Sequence, residues 1–541
     1  MTSAQRPPPR VMIGLDVGTT AVKAVAFGLD SGWRRLALRE YPLLEPAPGW
    51  HEQDPERIAE CAAAALAECV AGVGDAEVLG ISVSAAMHGL IGLDAAMRPL
   101  TRLVTWADSR ADDEARALRT AGQAAELHRR TGVPVHPMTP LTKLMWFARH
   151  DHRTFAAARW WVGLKDYLLW RLTGTLATDL SSAGGTGMLD LATRTWSPAA
   201  VALAGTSAEQ LPPILPTTAT LTLAATAATR VGLPAGTPVV AGAADGPLGN
   251  LGTGAVSPGV AGLSVGTSGA VRMVVPEPKV DDRGMLFCYA LTDSAWVVGG
   301  AISNGGFVVR WAGRALTPDL LTGPPEQHHD KEVLDLAATA PAGSDGLVVL
   351  PYLVAERAPL WDPDLPGAVL GLREGHTRAH LIRAAVEGVC LQLRAIVDQL
   401  DRLWPVTAVR ATGGTFRAAL WRETMAGVLA RPLTVVGEAE GTALGAAALG
   451  LIALGHAIRL GEAVARLSPP NAAPAPPVEA SGDLVATYAR LRASLPGLVR
   501  GLESAAGALA PTTPAAATAT RSAPAPRMVP GAPTGGTDEH T

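Results

Sequence analysis

One short motif occurs twice in this chain. Residues 14–20 read GLDVGTT and residues 262–268 read GLSVGTS, so five of seven positions are identical and the last pairs threonine with serine. Each copy lies between two strand-like segments, in the stretches 11–30 and 260–276, and a basic residue follows each turn. Such a repeat predicts two similar halves that each open with a hairpin and place one glycine–threonine turn on either side of a cleft.

The rest of the chain alternates between helical and strand-like segments. Residues 51–73 have a helical pattern and 77–85 a strand-like one, while 378–403 carry the longest helical pattern. The strand-like segment 408–414 ends in two glycines, and 441–455 form a helix of small residues that can pack closely against its neighbours. In a chain of 541 residues, this alternation predicts an α/β fold of two large domains.

Composition limits the classes of function. The formal net charge of −4 and a charged fraction of 17% do not mark a nucleic-acid binder or a basic membrane-surface protein. No apolar run reaches the roughly 18–20 residues of a membrane-spanning helix, and the first ten residues show no signal-peptide pattern. The four cysteines lack metal-binding spacing and are expected to be free thiols. We therefore expect a cytoplasmic protein without nucleic-acid or membrane partners.

The first turn suits a polyphosphate without being a P-loop, since G-x-x-x-x-G-K-[ST] occurs nowhere. Its glycine, N–H groups, hydroxyls and the nearby Lys23 can surround phosphate oxygens. Asp16, at the start of the turn, can hold Mg²⁺ through water, because Mg²⁺ uses few carboxylates and keeps several waters. A D-x-G-T turn also occurs for purely structural reasons, so the motif alone leaves both interpretations open.

Asp245 lies between small residues in VVAGAADGPLGNLGTG (239–254), just after an apolar strand. That position is the carboxyl end of a strand, where ligands of α/β sheets collect. Asp245 there suits a general base that accepts the proton of an acceptor hydroxyl during phosphoryl transfer. The alternative is an aspartate that caps a turn, because Asp-Gly is a common turn pair.

A third group of residues suits a polyol pocket. An aromatic or sulfur wall fits the carbon face of a sugar, and polar groups fit its hydroxyls. A lone histidine is more often structural, and that alternative stays open. The candidates, within SVSAAMHGLIGLD (82–94) and TWADSR (105–110), are Met87, His88, Trp106, Asp108 and Arg110.

Glycine and lysine usage add two weaker signals. Gly413 and Gly414 follow a strand and leave room for a flat adenine ring. The chain has five lysines against forty arginines, and three of the five (Lys23, Lys143 and Lys165) lie in motif segments. An ammonium is not interchangeable with a guanidinium at a tight anion site, so these three are candidates for anion contacts. A solvated lysine is the alternative for each.

In this order the segments resemble the FGGY carbohydrate kinases, over about residues 11–455. The motifs that carry the resemblance are GLDVGTTAVKAV (14–25), MHG (87–89), TWADSR (105–110), LTG with a downstream Asp-x-Ser (172–181), GAADG (242–246), VGTSG (265–269), GLVVLPYLVAERAPLWDPDLPGAVLGL (346–372), ATGG (411–414) and EGTALGAA (440–447).

The resemblance implies two actin-like (ribonuclease H-like) domains that flank a cleft and close over ATP, Mg²⁺ and a polyol. It implies an N-terminal domain at 11–254 and a C-terminal domain at 255–506. Residues 1–10 are expected to be a disordered extension, and the Ala/Pro/Thr-rich composition of 507–541, with no aromatic residue, predicts a disordered tail. Asp245 matches the catalytic base, and Asp16 and Asp245 are placed beside Mg²⁺. The implied ATP-binding residues are Thr19, Thr20, Lys23, Gly266, Thr267, Gly305, Gly413 and Gly414.

Within the family, four segments resemble the gluconokinase branch: 105–110, 128–146, 163–168 and 285–311. The expected acceptor is therefore a sugar acid or polyol, with D-gluconate preferred. Because gluconate carries a carboxylate, its pocket needs a cation or convergent donors, and the candidates in the gluconokinase-like segments are Lys143, Lys165 and Arg110.

Two departures from the branch stand out. Gly89 follows Met-His where gluconokinases often carry serine, and Thr-Phe-Arg follows Gly414 in place of Phe-Ala-Arg. The alternatives left open are a xylulokinase or other pentulose kinase, an inactive sugar sensor, and an actin- or Hsp70-like nucleotide switch. A homodimer is also compatible with the resemblance.

Overall fold

The computed structural model describes residues 9–320, 330–354, 356–437, 440–468 and 476–509. The predicted disordered extension at 1–10 falls mostly on residues 1–8, which lie outside the described residues, and Arg10 already begins a strand. The last helix continues to Leu509, so the predicted start of the tail at 507 falls within a helix. Residues 510–541 also lie outside the described residues.

The β-strands of the described residues, in chain order, are β1 (Arg10–Val17), β2 (Ala21–Gly28), β3 (Arg34–Glu40), β4 (Glu52–Gln53), β5 (Glu77–Ala85), β6 (Ile91–Leu93), β7 (Leu103–Val104), β8 (Trp160–Val162), β9 (Thr178–Asp179), β10 (Ile214–Leu215), β11 (Thr220–Thr222), β12 (Pro238–Val240), β13 (Val260–Val265), β14 (Gly269–Val275), β15 (Phe287–Thr292), β16 (Ala295–Ile302), β17 (Val348–Leu350), β18 (Ala368–Leu370), β19 (Ala408–Thr412) and β20 (Leu433–Val435).

The α-helices of the same residues are α1 (Pro55–Ala71), α2 (Asp112–Thr120), α3 (Ala124–Thr131), α4 (Pro140–His150), α5 (His152–Ala157), α6 (Leu164–Thr173), α7 (Leu180–Gly184), α8 (Pro198–Leu203), α9 (Ala225–Val231), α10 (Asp245–Gly252), α11 (Phe307–Leu316), α12 (Asp330–Ala338), α13 (Arg378–Leu403), α14 (Ala419–Leu429), α15 (Gly441–Ala453), α16 (Leu460–Leu467) and α17 (Gly482–Leu509). Among them, none is both long and apolar enough to cross a membrane.

Two six-stranded sheets confirm the prediction of two similar halves. The first has the order β11-β12-β5-β1-β2-β3 and the second β15-β16-β14-β13-β19-β20. In each, the motif strand (β1 or β13) pairs antiparallel with the strand that follows it and parallel with a later strand, β5 or β19. This is the predicted actin-like, ribonuclease H-like α/β arrangement.

The two motif turns differ in register. In the first hairpin Val17 pairs with Val22, and Lys23 lies opposite Asp16 in the second pair from the turn. In the second hairpin Val265 pairs with Gly269, so the turn is one residue shorter, and Arg272 lies opposite Gly262 in the fourth pair. The basic residues that follow the two turns are therefore not equivalent.

Both faces of β1 are buried, each against a different helix. Val11, Ile13 and Leu15 belong to one core cluster with α1, whereas Met12 belongs to another with residues of α15 and α16. Side chains of a strand alternate between its faces, which explains why successive residues join different clusters.

Helix α15 lies against the first sheet although it follows the second in sequence. Its small residues allow close packing, as the sequence predicted: a Cβ at Gly445 would lie 2.1 Å from Leu248 O of α10, and one at Gly14 only 2.0 Å from Ala443 O. The predicted C-terminal domain, 255–506, therefore includes a helix that packs with the N-terminal sheet.

On one side the two halves touch through β15. Cys288 N donates to Gly132 O (2.8 Å), and Thr217 Oγ1 donates to Leu291 O (2.8 Å). His128 Nε2 lies 2.7 Å from Leu286 O. These contacts hold the helical segment of the first half against the edge of the second sheet and leave a cleft between the two motif turns.

Candidate active site

The cleft contains two cavities that meet at Gly266. The first has a volume of about 320 Å³ and lies between the halves. The second is a groove of about 810 Å³ along the second half. Residues that line the first cavity include Thr19, Met87, His88, Trp106, Asp245, Ser264, Gly266, Arg272, Tyr289 and Arg357. Residues that line the groove include Gly266, Thr267, Gly306, Arg310, Gly414 and Thr415.

Asp245 is the first residue of α10 and follows β12 closely, as predicted. Its Oδ1 accepts hydrogen bonds from Gly246 N (2.8 Å) and Met87 N (3.2 Å), which fix the carboxylate and join the Met87 segment to it. Within the described residues no hydrogen bond reaches Oδ2. Burial raises the pKa of Asp245, while Arg272 and these backbone N–H groups act in the opposite direction. A buried carboxylate with one unused oxygen can act as a base.

Asp16 is the second carboxylate of the cleft. Burial and the neighbouring charge of Asp245 raise its pKa to about 7, and Lys23 and a hydrogen bond from Ser84 only partly oppose this shift. Ser84 Oγ is 3.4 Å from Asp16 Oδ1. Two partly buried carboxylates that repel each other favour a cation nearby. The described residues contain no group of three or more His, Cys, Asp or Glu residues that could hold a metal. A site with only two carboxylates is compatible with Mg²⁺, which takes its other ligands from water and phosphate.

His88 presents a neutral imidazole to the first cavity. Its Nδ1 lies 2.7 Å from Gly185 O, which can only accept, so Nδ1 carries the proton. Burial lowers the pKa of His88 to about 3. Nε2 is therefore an acceptor, 3.5 Å from the hydroxyl of Tyr289. The histidine suits a ligand hydroxyl, and its φ of 64° reflects the tight turn after β5.

Trp106 joins the wall of the first cavity to the first motif turn. Its Nε1 donates to Thr19 Oγ1 (2.8 Å), and the guanidinium of Arg357 lies 5.0 Å from the indole ring. Asp108 and Arg110 come from the same segment but pair with each other (2.8 Å) outside the cavity lining. Arg110 also binds Glu52 at 2.7 Å. Their role in the structure is to hold the Trp106 segment.

The two candidate lysines, Lys143 and Lys165, also interact with other groups of the protein. Lys143 is fully buried, and its Nζ donates to His88 O (2.7 Å), Thr105 O (2.7 Å) and Val104 O (3.4 Å). Lys165 Nζ pairs with Asp179 at 2.6 Å beside a separate inner cavity of about 40 Å³. The expectation that Lys143, Lys165 or Arg110 binds a substrate carboxylate stays a prediction: Lys143 and Arg110 already donate to protein oxygens, and Lys165 forms an ion pair with Asp179 beside the inner cavity.

Replacing Lys143 by methionine is expected to raise the acceptor KM about tenfold and to leave the KM for the nucleotide nearly unchanged. The variant keeps the volume but leaves the carbonyls of His88 and Thr105 buried without a donor, at a cost of about 1–3 kcal/mol. Steady-state kinetics with each substrate varied test this, with Lys279→Met, outside the cleft, as the control. An unchanged acceptor KM in a stable variant would contradict the role of Lys143 in holding the His88 and Thr105 carbonyls beside the acceptor cavity.

On the nucleotide side, glycines bring backbone close to the second motif turn. Gly305 N donates to Thr267 O (3.1 Å), and a Cβ at Gly305 would lie 2.7 Å from Ser268 O. Gly413, with φ 118°, lies directly behind Val265, where a Cβ would be 2.0 Å from the Val265 carbonyl oxygen. Gly414 lines the groove. In the first turn, Thr20 is exposed and Thr19 and Lys23 are partly buried.

Sequence reasoning missed four residues of the site: Arg272, Tyr289, Arg310 and Arg357. Arg310 Nη2 donates to Thr267 Oγ1 (2.9 Å) at the groove, and the other three line the first cavity. Arg272 follows the second motif turn, and Tyr289 and Arg357 lie in segments that carry the family resemblance. Membership in these motif segments is the signal that could have identified the three residues. The segments were noted for their motifs, and these side chains were not singled out.

Gly89, the residue at odds with the gluconokinase pattern, does not face the first cavity. It lines the small inner cavity, and a Cβ there would lie 2.6 Å from Leu103 Cδ1. A serine at this position would require the Leu103 side chain to move.

Comparison with known proteins assigns the class. Residues 11–252 match the N-terminal domain, and residues 261–454 the C-terminal domain, of the FGGY family of carbohydrate kinases. The chain belongs to this family. It is similar to gluconokinase of Bacillus subtilis (strain 168), with 37% identity over 449 residues that cover 82% of this chain and 88% of that protein.

Solved structures show the same likeness. The chain is similar to gluconate kinase from Lactobacillus acidophilus, with a TM-score of 0.86, 33% identity, and coverage of 92% of this chain and 99% of that chain. Ligand-bound xylulose kinase from Lactobacillus acidophilus has the same TM-score and identity and covers 92% and 100%. The fold therefore does not distinguish the two acceptors.

Proposed function

We propose that this carbohydrate kinase transfers the γ-phosphoryl group of ATP to the 6-hydroxyl of D-gluconate, giving 6-phospho-D-gluconate. The observation that carries the proposal is the position of Asp245. It lines the 320 Å³ cavity, which meets the nucleotide groove at Gly266. A hydroxyl held in the first cavity then faces a phosphoryl group that enters from the second.

In this mechanism Asp245 Oδ2 accepts the proton of the acceptor hydroxyl while Oδ1 stays bound to the N–H groups of Met87 and Gly246. His88 Nε2 and Trp106 orient the acceptor. The Thr19 and Thr267 turns hold the phosphates from the two halves. Asp16 and Asp245 would hold Mg²⁺, which would supply charge neutralisation of the phosphates. Closure of the cleft excludes water and so suppresses hydrolysis of ATP.

Gluconate is preferred over a pentulose on two grounds. The relative at 37% identity is a gluconokinase, whereas xylulose kinase of Bacillus subtilis is 29% identical. The first cavity also contains two guanidinium groups, of Arg272 and Arg357, which suit an anionic acceptor better than a neutral one. A pentulose kinase remains the second candidate, because xylulose kinase from Lactobacillus acidophilus matches the fold equally well.

A coupled assay of ADP release tests the acceptor. We expect D-gluconate to give a kcat/KM at least tenfold above those of D-xylulose, D-ribulose, glycerol and L-gulonate, with little ADP formed when the acceptor is omitted. A preference for a neutral ketose would reject gluconate and keep the kinase assignment. Absence of turnover with every acceptor would favour a sugar sensor instead.

Binding of the Mg²⁺–nucleotide complex is expected to weaken as the pH falls from 8 to 6. The pKa of Asp16 is about 7 without metal, so below that pH a proton must leave before the cation binds. The dissociation constant should rise up to about tenfold per pH unit below 7. Titration calorimetry without acceptor measures it, with Asp16→Asn and metal-free nucleotide as controls. An equal pH slope in the asparagine variant would contradict the role of Asp16.

A further inference from the structure

Arg272 differs from the other basic residues of the cleft because its donors are not used. Its side chain lines the 320 Å³ cavity, and its buried Nε has no hydrogen-bond partner among the described residues. No carboxylate of those residues forms an ion pair with it. Lys143 and Arg110 donate hydrogen bonds within the protein, and Lys165 Nζ forms an ion pair with Asp179 at 2.6 Å.

The position of the Arg272 guanidinium is set by the second hairpin. Arg272 is four residue pairs from the turn, opposite Gly262, and so begins deeper in the cleft than Lys23 does in the first hairpin. Its head group lies over the start of α10, since a Cβ at Gly246 would be 3.5 Å from both Nε and Nη2. The guanidinium therefore lies beside the acceptor cavity without pairing with Asp245.

A second guanidinium faces the same cavity. Arg357 Nε donates to Ser303 Oγ (3.1 Å) and its Nη2 donates to Ile302 O (2.9 Å), so this side chain is fixed by the protein. Arg272 and Arg357 are close enough that each positive charge opposes the other. Two like charges that are partly buried repel each other, and an anion between them relieves that repulsion. The pair resembles an anion-binding site in which Arg357 is held in place by the protein and Arg272 has a hydrogen-bond donor left free by the described residues.

We infer that Arg272 binds the carboxylate of the acceptor and, with Arg357 behind it, determines the preference for a sugar acid over a neutral sugar. The inference rests on the proposed function. A guanidinium offers a planar fork that matches both oxygens of a carboxylate, which a lysine at the same place does not.

The test compares D-gluconate with D-gluconamide, a neutral analogue of the same length, in the wild type and in Arg272→Gln and Arg272→Lys. We expect Arg272→Gln to raise the gluconate KM at least tenfold and the gluconamide KM less than threefold, with kcat little changed. The gluconate KM of Arg272→Lys should lie between those of the wild type and Arg272→Gln. Protection of the protein by gluconate against thermal unfolding, measured without ATP, should be lost in Arg272→Gln. Arg402→Gln, on an exposed part of α13, is the control.

Two results would overturn the inference. An unchanged gluconate KM in Arg272→Gln would show that another group binds the carboxylate. An equal fall in kcat with both acceptors would show that Arg272 acts on Asp245 or on the transferred phosphoryl group. If the wild type prefers a neutral ketose, the proposed function is rejected and this inference with it. The acceptor assay of the wild type shows this before any variant is made.

Discussion

Replacing Asp245 by asparagine is expected to lower kcat by about two to four orders of magnitude, the usual contribution of a general base. The amide keeps the size of the side chain, and its oxygen can still accept from Met87 N and Gly246 N. What is lost is the ability to take the acceptor proton. Because the substitution leaves the groove beyond Gly266 intact, the affinity for metal-free nucleotide should change less than threefold.

Single-turnover kinetics and nucleotide titration measure the two quantities separately. Asp282→Asn, an exposed aspartate of the second half, is the control and should behave as the wild type. Turnover by Asp245→Asn within a factor of three of the wild type would reject the base assignment. A large loss of nucleotide affinity would instead show that the residue acts mainly on the phosphates.

Replacing Gly445 by alanine is expected to lower the free energy of unfolding by about 3 kcal/mol or more. The added methyl carbon would lie 2.1 Å from Leu248 O, a backbone atom inside α10 that cannot turn aside. Relief of the overlap requires α10 and α15 to move apart. Because Asp245 begins α10, the same shift displaces the carboxylate that we propose as the base and should also reduce kcat.

Gly461→Ala in α16 is the matched control. It is also a glycine within a helix, but its Cβ would meet only Val256 Cγ2 at 3.4 Å, an ordinary contact. That variant should be as stable as the wild type or slightly more stable, since alanine favours helices. Denaturant unfolding of both variants gives the comparison. A midpoint for Gly445→Ala equal to that of Gly461→Ala would contradict the close packing of the two helices.

The architecture could be predicted from local patterns. Repeated GLxVGT turns fixed the two hairpins, and helical periodicity located α13 and the small-residue helix α15 within a few residues. Asp245 was recognised because its neighbours are small and an apolar strand precedes it. Each of these signals lies within about twenty residues of sequence.

The distribution of charges in the site could not be predicted in this way. Lys143 stands out in sequence because lysine is rare here, but its partners are the carbonyls of His88 and Thr105, which are distant in the chain. Arginine is common in this chain, so Arg272 does not stand out in the sequence. Its proposed role in binding the acceptor follows from its hydrogen-bond donor, which the described part of the folded chain leaves unused. Residue type shows which groups can bind an anion, while only the folded chain shows which of them already have partners.

The second half of the sequence supplies part of the first half's structure. Met12 and Gly14 of β1 face α15, so one side of the first sheet is covered only when residues 441–468 are present. A fragment that ends near residue 254 would expose that apolar face and should aggregate. A split between the two halves near residue 254 is therefore a poor way to make an enzyme that reassembles from two polypeptides. The first half would need residues 441–468 fused to it through a linker, as in a circular permutant.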